Sequence, residues 1–394
     1  MSRLWDKGAP LDERVLAYTA GDDHALDERL VSYDVRASIA HAEMLNAQNL
    51  LGDADLRAIR EGLTAIGGEH AAGQWKIELA DEDGQTALEK RLTARIGAAG
   101  GRVHLGRSRN DQVLTALRLY LLDAGSELAA AAEGCADALG ALAEREGKIP
   151  LPGYTHMQQA MPSTVALWAQ GFAAELRDDA QGLSATARRA SRSPLGSAAG
   201  YGTPGLPLDR ELTRTKLGFA EVHQPVTAVQ LARGKAEAQL LFECTLLMQD
   251  LGRLAADLLL FFTQEFAFVS VPASFTTGSS IMPQKRNPDV FELVRGGGAI
   301  ALACLTEVLA IFAKLPSGYQ RDLQLIKAPL FRGIDLALAT AGIMATAVDG
   351  VRFRADQIKL DPAIHAAEEA NALVVREGIP FREAYRRIGE KFRK

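Results

Sequence analysis

Apolar residues recur at three- and four-residue intervals through most of the chain, and alternation of polarity at period two is hard to find beyond a few residues. The helical pattern is clearest from Asp111 to Glu146, a proline-free stretch in which Val113, Leu117, Tyr120, Leu121 and Leu128 mark the apolar positions. At 1.5 Å per residue it predicts a rod of about 50 Å. Four further segments read alike: Ser163 to Arg192, Val226 to Phe268, Pro288 to Lys314 and Ala328 to Phe353. Proline and glycine punctuate the joins at Pro150 to Gly153, Ser193 to Pro207, Thr276 to Pro283 and Pro316 to Gly318. The expected fold is all-α, with five long helices bundled in the middle of the chain. Segments before residue 105 are shorter and more charged, and one short amphipathic stretch is expected after Arg354. Three regions follow: an N-terminal helical domain over 1–106, a central long-helix domain over 107–353 and a short C-terminal helical domain over 354–394.

Parts of the long helices, such as Leu128 to Leu142, carry Ala or Leu on nearly every face. A helix that is apolar all round needs neighbours on all sides, which predicts homo-oligomerisation through the bundle. Composition adds exclusions. With 44 basic against 49 acidic residues and a net charge of -5, no basic surplus exists to neutralise nucleic-acid phosphates. The most apolar runs, Leu258 to Phe262 and Leu336 to Val348, fall short of the roughly 18 uninterrupted apolar residues of a membrane span. Met1 to Pro10 is charged and lacks the apolar core of a signal peptide, so a cytoplasmic location and no membrane partner are expected. Cys135, Cys244 and Cys304 sit singly in Ala/Leu-rich runs and read as buried free thiols.

Gly200, Gly202 and Gly205 spell G-x-G-x-x-G, but no strand precedes them, and Pro204 and Pro207 interrupt any helix they would open. Three other clusters combine polar residues with helix entrances, where unpaired N–H groups attract anions. The first, His104 to Gln112, places Ser108, Arg109 and Asn110 ahead of the longest helix; its plain structural reading is a capped start with solvated Arg107 and Arg109. The second, Pro152 to Thr164, holds Thr155 and His156 in a stretch free of charge from Ile149 to Ala174, which predicts a partly buried histidine. The third, Thr276 to Val294, has a strong helix start at Asn287, Pro288 and Asp289, with Glu292 one turn inside. Before it lies the small-residue loop of Gly278, Ser279 and Ser280, suited to opening and closing over a ligand, while Lys285 and Asn287 offer a cation and an amide to a carboxylate.

The run GSSIMPQKRNPD closely resembles the signature loop of the fumarase/aspartase superfamily, whose members release fumarate by β-elimination. Within it, GRSRNDQ at 106–112, GYTH at 153–156 and YQRDLQ at 319–324 resemble the argininosuccinate lyases, relatives of the δ-crystallins. The likeness runs from Leu4 and Trp5 to PFREAYRRIGE at 380–390. Gln85 stands where a histidine is usual, Leu105 replaces a usual threonine, and Ile326 and Ala328 flank Lys327 where acids are common. The C-terminal region is expected to be incomplete relative to the family.

The resemblance implies three helical domains around a five-helix bundle, pooled into a twenty-helix core in a homotetramer whose active sites draw on three subunits. It implies that argininosuccinate splits into arginine and fumarate, as in arginine biosynthesis, by proton transfer and electrostatics without metal or organic cofactor. Ser279 becomes the general base, Lys285 the cation that activates it, and His156 with Glu292 a charge-relay pair. Ser108, Arg109, Asn110, Thr155 and Asn287 are assigned to substrate binding, with Tyr319, Gln324 and Lys327 on the arginine half. The alternatives are another fumarate-releasing lyase acting on a different succinyl adduct, or a non-catalytic crystallin-like protein. Retention of Ser279, His156 and Lys285 argues against the second.

Overall fold

The computed structural model describes residues 12–392; Leu4, Trp5 and the charged segment before Pro10 lie outside that range. The described chain is mainly helical, as its periodicity requires. Packing divides it into two units, Met1–Glu127 with Gly182–Cys244 and Leu302–Asp335, and Leu128–Gln181 with Thr245–Ala301 and Leu336–Lys394. The three sequence regions divide the chain by helix length, whereas these units divide it by packing.

The first unit opens with α1 (Glu13–Ala20), α2 (Val31–Ala47), α3 (Asp53–Ala71) and α4 (Gly84–Ile96). Their ends are written locally. Asp53 and Asp55 put negative charge in the first turn of α3, and Asp83 caps α4 by accepting the Thr86 N–H at 2.8 Å. Such short helices are marginal alone and are held by shared burial. Val35, Leu45, Ile59, Leu63, Leu88 and Leu92 close into one core cluster, over which Trp75 lies with its Nε1 donating to the Ile66 carbonyl at 3.0 Å.

All five long helices form: α5 (Arg109–Glu146), α6 (Val165–Ala185), α7 (Lys235–Phe262), α8 (Asp289–Phe312) and α9 (Lys327–Gly350). At 38 residues α5 is about 57 Å long. Between Leu128 and Leu142 it buries one stripe, Leu128, Ala132, Cys135, Leu139 and Leu142, and leaves Ala130 and Gly134 exposed. Helix α7 starts nine residues later than the pattern predicts. Gly234 interrupts it with φ +85°, where a Cβ would meet the Phe312 ring at 2.3 Å.

Two elements depart from expectation. The segment after α5 is an antiparallel hairpin of β1 (Pro150–Thr155) and β2 (Gln158–Thr164), with Pro150 opposite Thr164 and Thr155 opposite Gln158. Its prolines forbid helix and its mixed side chains hide the period-two signal. After Arg354 there are two helices rather than one, α10 (Ala366–Glu377) and α11 (Phe381–Glu390), packed through Ala370, Leu373, Ala384 and Ile388.

Two segments, Asp289–Phe312 and Arg321–Gly350, are apolar and long enough by length and composition alone to cross a membrane, which the shorter uninterrupted runs did not signal. Only 39% of the first window is buried within the chain, and Leu293, Ile300, Leu302 and Leu309 of α8 are exposed. All three cysteines are buried free thiols, as the sequence predicts. Burial pushes the Cys135 and Cys244 thiols up to about 12.

Candidate active site

In the first unit a cavity of about 100 Å³, open to solvent, is lined by the first turn of α5, the cap of α4 and the segment 319–327. Its wall includes Arg109, Asn110, Tyr319, Gln324 and Lys327, five of the residues assigned to substrate binding. Ser108 is not in the wall; its hydroxyl accepts the Asn110 N–H at 3.3 Å and supports the turn instead.

Two of the assigned residues already have partners within the chain. Lys327 is 3% exposed, and its ammonium lies 2.6 Å from Asp23 and 2.5 Å from Asp27. Burial alone would lower its pKa, but Asp27 and Asp23 together hold it above the ordinary lysine value. Within the chain its charge is balanced by these two carboxylates. Burial pushes Asp23 up to about 7 against the pull of Lys327, with Asp27 adding like-charge repulsion. Gln324 is likewise engaged, its amide donating to the Thr19 and Ala20 carbonyls at 3.0 and 3.2 Å. Gln85, which stands in place of a histidine, also lines the cavity and donates to Asp34 at 2.6 Å. Asp34 is itself held well above the usual carboxylate range by burial and by nearby Asp27.

Asp111 fixes the entrance of α5. Fully buried, its carboxylate accepts the N–H groups of Ser108 at 3.0 Å, Gly196 at 3.0 Å and Ala198 at 2.8 Å. Burial raises its pKa to about 6 while the donated hydrogen bonds oppose the rise. This latch ties Arg109 and Asn110 to the loop between Ser193 and Pro207. Gly200, Gly202 and Gly205 lie in that loop with positive φ, and no helix starts there before Arg210, so the nucleotide-binding pattern is not realised. Arg107 is buried and donates to the Ser38 hydroxyl at 2.8 Å, contrary to the expectation of a solvated side chain. Leu105 contributes its carbonyl, which accepts from His41 Nε2 at 2.8 Å, while its side chain is exposed.

The second unit carries the remaining candidates on two loops. Thr155, His156, Met157 and Gln158 form the exposed tip of the hairpin, so His156 is not partly buried. Its φ of +54° and that of Met157, +61°, place two non-glycine residues in the left-handed region, a strain of about 1–3 kcal/mol each that aims both side chains outward. Gln159 anchors the hairpin: its amide donates to the Lys359 carbonyl at 3.0 Å and accepts the Asp361 N–H at 2.9 Å.

The signature loop is a ring closed where Thr277 and Asn287 exchange backbone hydrogen bonds at 3.0 and 2.9 Å. The Asn287 amide donates to the Gly278 carbonyl at 3.2 Å, so it first clasps the loop. Within the ring, Ser279 Oγ accepts the N–H groups of Met282 at 3.2 Å and Ile281 at 3.4 Å. Donors aimed at that oxygen favour its anionic form. Lys285 and Glu292 are exposed, and among the described residues neither forms an ion pair and His156 and Glu292 are not hydrogen-bonded to each other. Among the described residues no group of three or more His, Cys, Asp or Glu gathers as a metal site.

Missed by sequence reasoning were Asp23, Asp83, Val113, Arg233 and Arg321, which also line the cavity. Arg321 lies inside the YQRDLQ run and was open to notice; Asp23 and Arg233 sit in unremarkable helical sequence and only the fold brings them in.

A family model described as Lyase matches residues 11–301. Relatives include the argininosuccinate lyase of Sorangium cellulosum (strain So ce56), 48% identical over 98% of this chain and 90% of that protein. That of Xanthomonas campestris pv. campestris (strain B100) is 40% identical over 97% of this chain and 89% of that protein. Among solved structures, EDDS lyase in complex with formate superposes with a TM-score of 0.81 at 26% identity, covering 97% of this chain and 76% of that one. Class II fumarase from Schistosoma mansoni shares the fold, with a TM-score of 0.79 at 17% identity, over 98% of this chain and 91% of that one. Fold and signature loop define a lyase of the fumarase/aspartase superfamily. The chain belongs, within it, to the argininosuccinate lyase family.

Proposed function

We propose that this chain is a carbon–nitrogen lyase that cleaves argininosuccinate reversibly to arginine and fumarate in arginine biosynthesis. The observation that carries this is 48% identity to an argininosuccinate lyase over 98% of the chain. A proton leaves the carbon beside a carboxylate of the succinyl half, and the guanidinium nitrogen departs from the neighbouring carbon. Ser279 takes the proton. Its basicity is supported by the Met282 and Ile281 N–H groups on Oγ and by Lys285, whose ammonium is free to face the aci-carboxylate that forms. Asn287 holds the loop that presents Ser279 and shares in carboxylate binding, together with Ser108, Asn110 and Thr155. The cavity of Arg109, Tyr319 and Gln324 receives the arginine half, with Lys327 setting the charge of its acidic wall. His156 and Glu292, unpaired within the chain, act as a relay formed between subunits.

The assembly proposed is a homotetramer with a twenty-helix core and three-subunit sites, in the cytoplasm, with no metal or organic cofactor. Its support is the exposed apolar surface of the long helices: Phe242 and Leu246, one turn apart on α7, and Leu293 and Ile300 on α8. A second reading, a lyase for another succinyl adduct, draws on the likeness to EDDS lyase. Purified protein given argininosuccinate should release fumarate, followed by its ultraviolet absorbance, with chelator present or absent. Release from EDDS and none from argininosuccinate would select the second reading.

A further inference from the structure

Four cations line the cavity of the first unit, and three are already engaged. Arg109 Nη1 lies 2.6 Å from Asp83, Arg321 Nη2 donates to the Thr19 carbonyl at 2.8 Å, and Lys327 sits between Asp23 and Asp27. Arg233 is different. It is 5% exposed, its Nε and Nη1 have no hydrogen-bond partner among the described residues, and its guanidinium carbon lies 5.6 Å from the centre of the Tyr319 ring. Burial draws its pKa down, yet a guanidinium stays charged in a protein. A buried cation with unused N–H groups is costly to maintain and calls for an anion. Its position is also built: the next residue, Gly234, holds φ +85° against the Phe312 ring, which fixes the backbone that delivers Arg233 to the cavity.

We propose that Arg233 anchors a carboxylate subsite, and that the group it takes is the α-carboxylate of an amino acid, which in the lyase reaction is the arginine half of the substrate. Planar carboxylate and planar guanidinium match in geometry, and the stacked Tyr319 ring keeps the guanidinium plane in place. Lys327, neutralised by two aspartates, leaves this role to Arg233.

The test uses the intact wild-type protein with L-arginine and agmatine, two ligands that differ by the carboxylate alone. Calorimetry should show L-arginine binding at least about tenfold tighter than agmatine. Equal affinities, or no binding of L-arginine, overturn the proposal without any variant. Arg233→Met, matched to wild type in circular dichroism and oligomer size, should abolish that discrimination. It should also raise KM for argininosuccinate about tenfold or more with a smaller change in kcat. A folded variant that keeps the arginine-to-agmatine ratio overturns the subsite. Should Arg233→Met not fold, Arg233→Lys keeps the cation without the planar fork, and an unchanged ratio there is equally fatal. The assignment to the arginine half rests on the lyase reading. Wild-type protein that discriminates the two ligands but releases no fumarate from argininosuccinate would sink that reading and uphold the carboxylate subsite.

Discussion

Replacing Lys327 by methionine tests whether this lysine neutralises the fold rather than gripping substrate. The side chain is 3% exposed, and Asp27 beside it is fully buried. Methionine preserves the volume and removes the charge, leaving two carboxylates with no cation in contact. Breaking a buried ion pair from one side costs about 3–5 kcal/mol, because the partner charge stays buried without compensation. The lower end of that range applies, since the Asp27 carboxylate still accepts the Gly84 N–H at 3.0 Å and Asp23, already raised to about 7, relieves part of the penalty by taking a proton. The pH dependence follows from linkage. A carboxyl whose native pKa lies above its unfolded value stabilises the fold most at low pH and loses that contribution as the pH rises through the native value. Loss of Lys327 removes the pull that opposes the rise of Asp23, so the deficit against wild type should be large at pH 7 and narrow toward pH 5. Urea unfolding followed by circular dichroism at both pH values measures it. The double variant Lys327→Met with Asp27→Asn should recover most of the loss, because the amide oxygen can still accept from Gly84 without a buried charge. A deficit below about 1 kcal/mol at pH 7, or one identical at the two pH values, would refute the charge argument.

Other outcomes follow from the same geometry. Ser279→Ala should cut turnover by at least about 100-fold while calorimetry still detects argininosuccinate, whereas Lys285→Ala should lose affinity and turnover together. If Ser279→Ala lost binding but kept turnover at saturation, the serine would be a ligand contact and not the base. Asp111→Asn removes one acceptor oxygen from a buried site that takes three N–H groups; it should cost about 1–3 kcal/mol in denaturation and raise KM through displaced Arg109 and Asn110. Light scattering should give a tetramer for wild type and smaller species for Phe242→Glu with Leu246→Glu; a wild-type monomer with full activity would discard the shared-site proposal.

The long helices were legible because burial is periodic along them: Leu128, Ala132, Cys135 and Leu139 repeat at the spacing that a helix needs for one buried stripe. The hairpin was not legible. Its strands place Pro, Gly, Thr, Gln and Met on a two-sided ribbon where no single face is consistently apolar, so periodicity carries no signal. For the site, the divide is between groups that face outward and groups that face each other. Ser279 and Lys285 lie in one loop, where the composition alone suggested a ligand-binding role. Lys327 and Gln324 looked like ligands for the same reason that any cation or amide beside an anion site does.

What decides their role is who else reaches them, and that is set by folding together residues three hundred positions apart. Lys327 meets Asp23 and Asp27, and Gln324 meets the end of α1. Both are thereby engaged within the chain, while Arg233 is left charged and, among the described residues, without a hydrogen-bond partner at two of its nitrogens. A charged residue's availability is thus a property of the remaining charges around it. In this cavity the cation with the least promising sequence context is the one with unfilled hydrogen bonds, and the one with the most promising context is already neutralised.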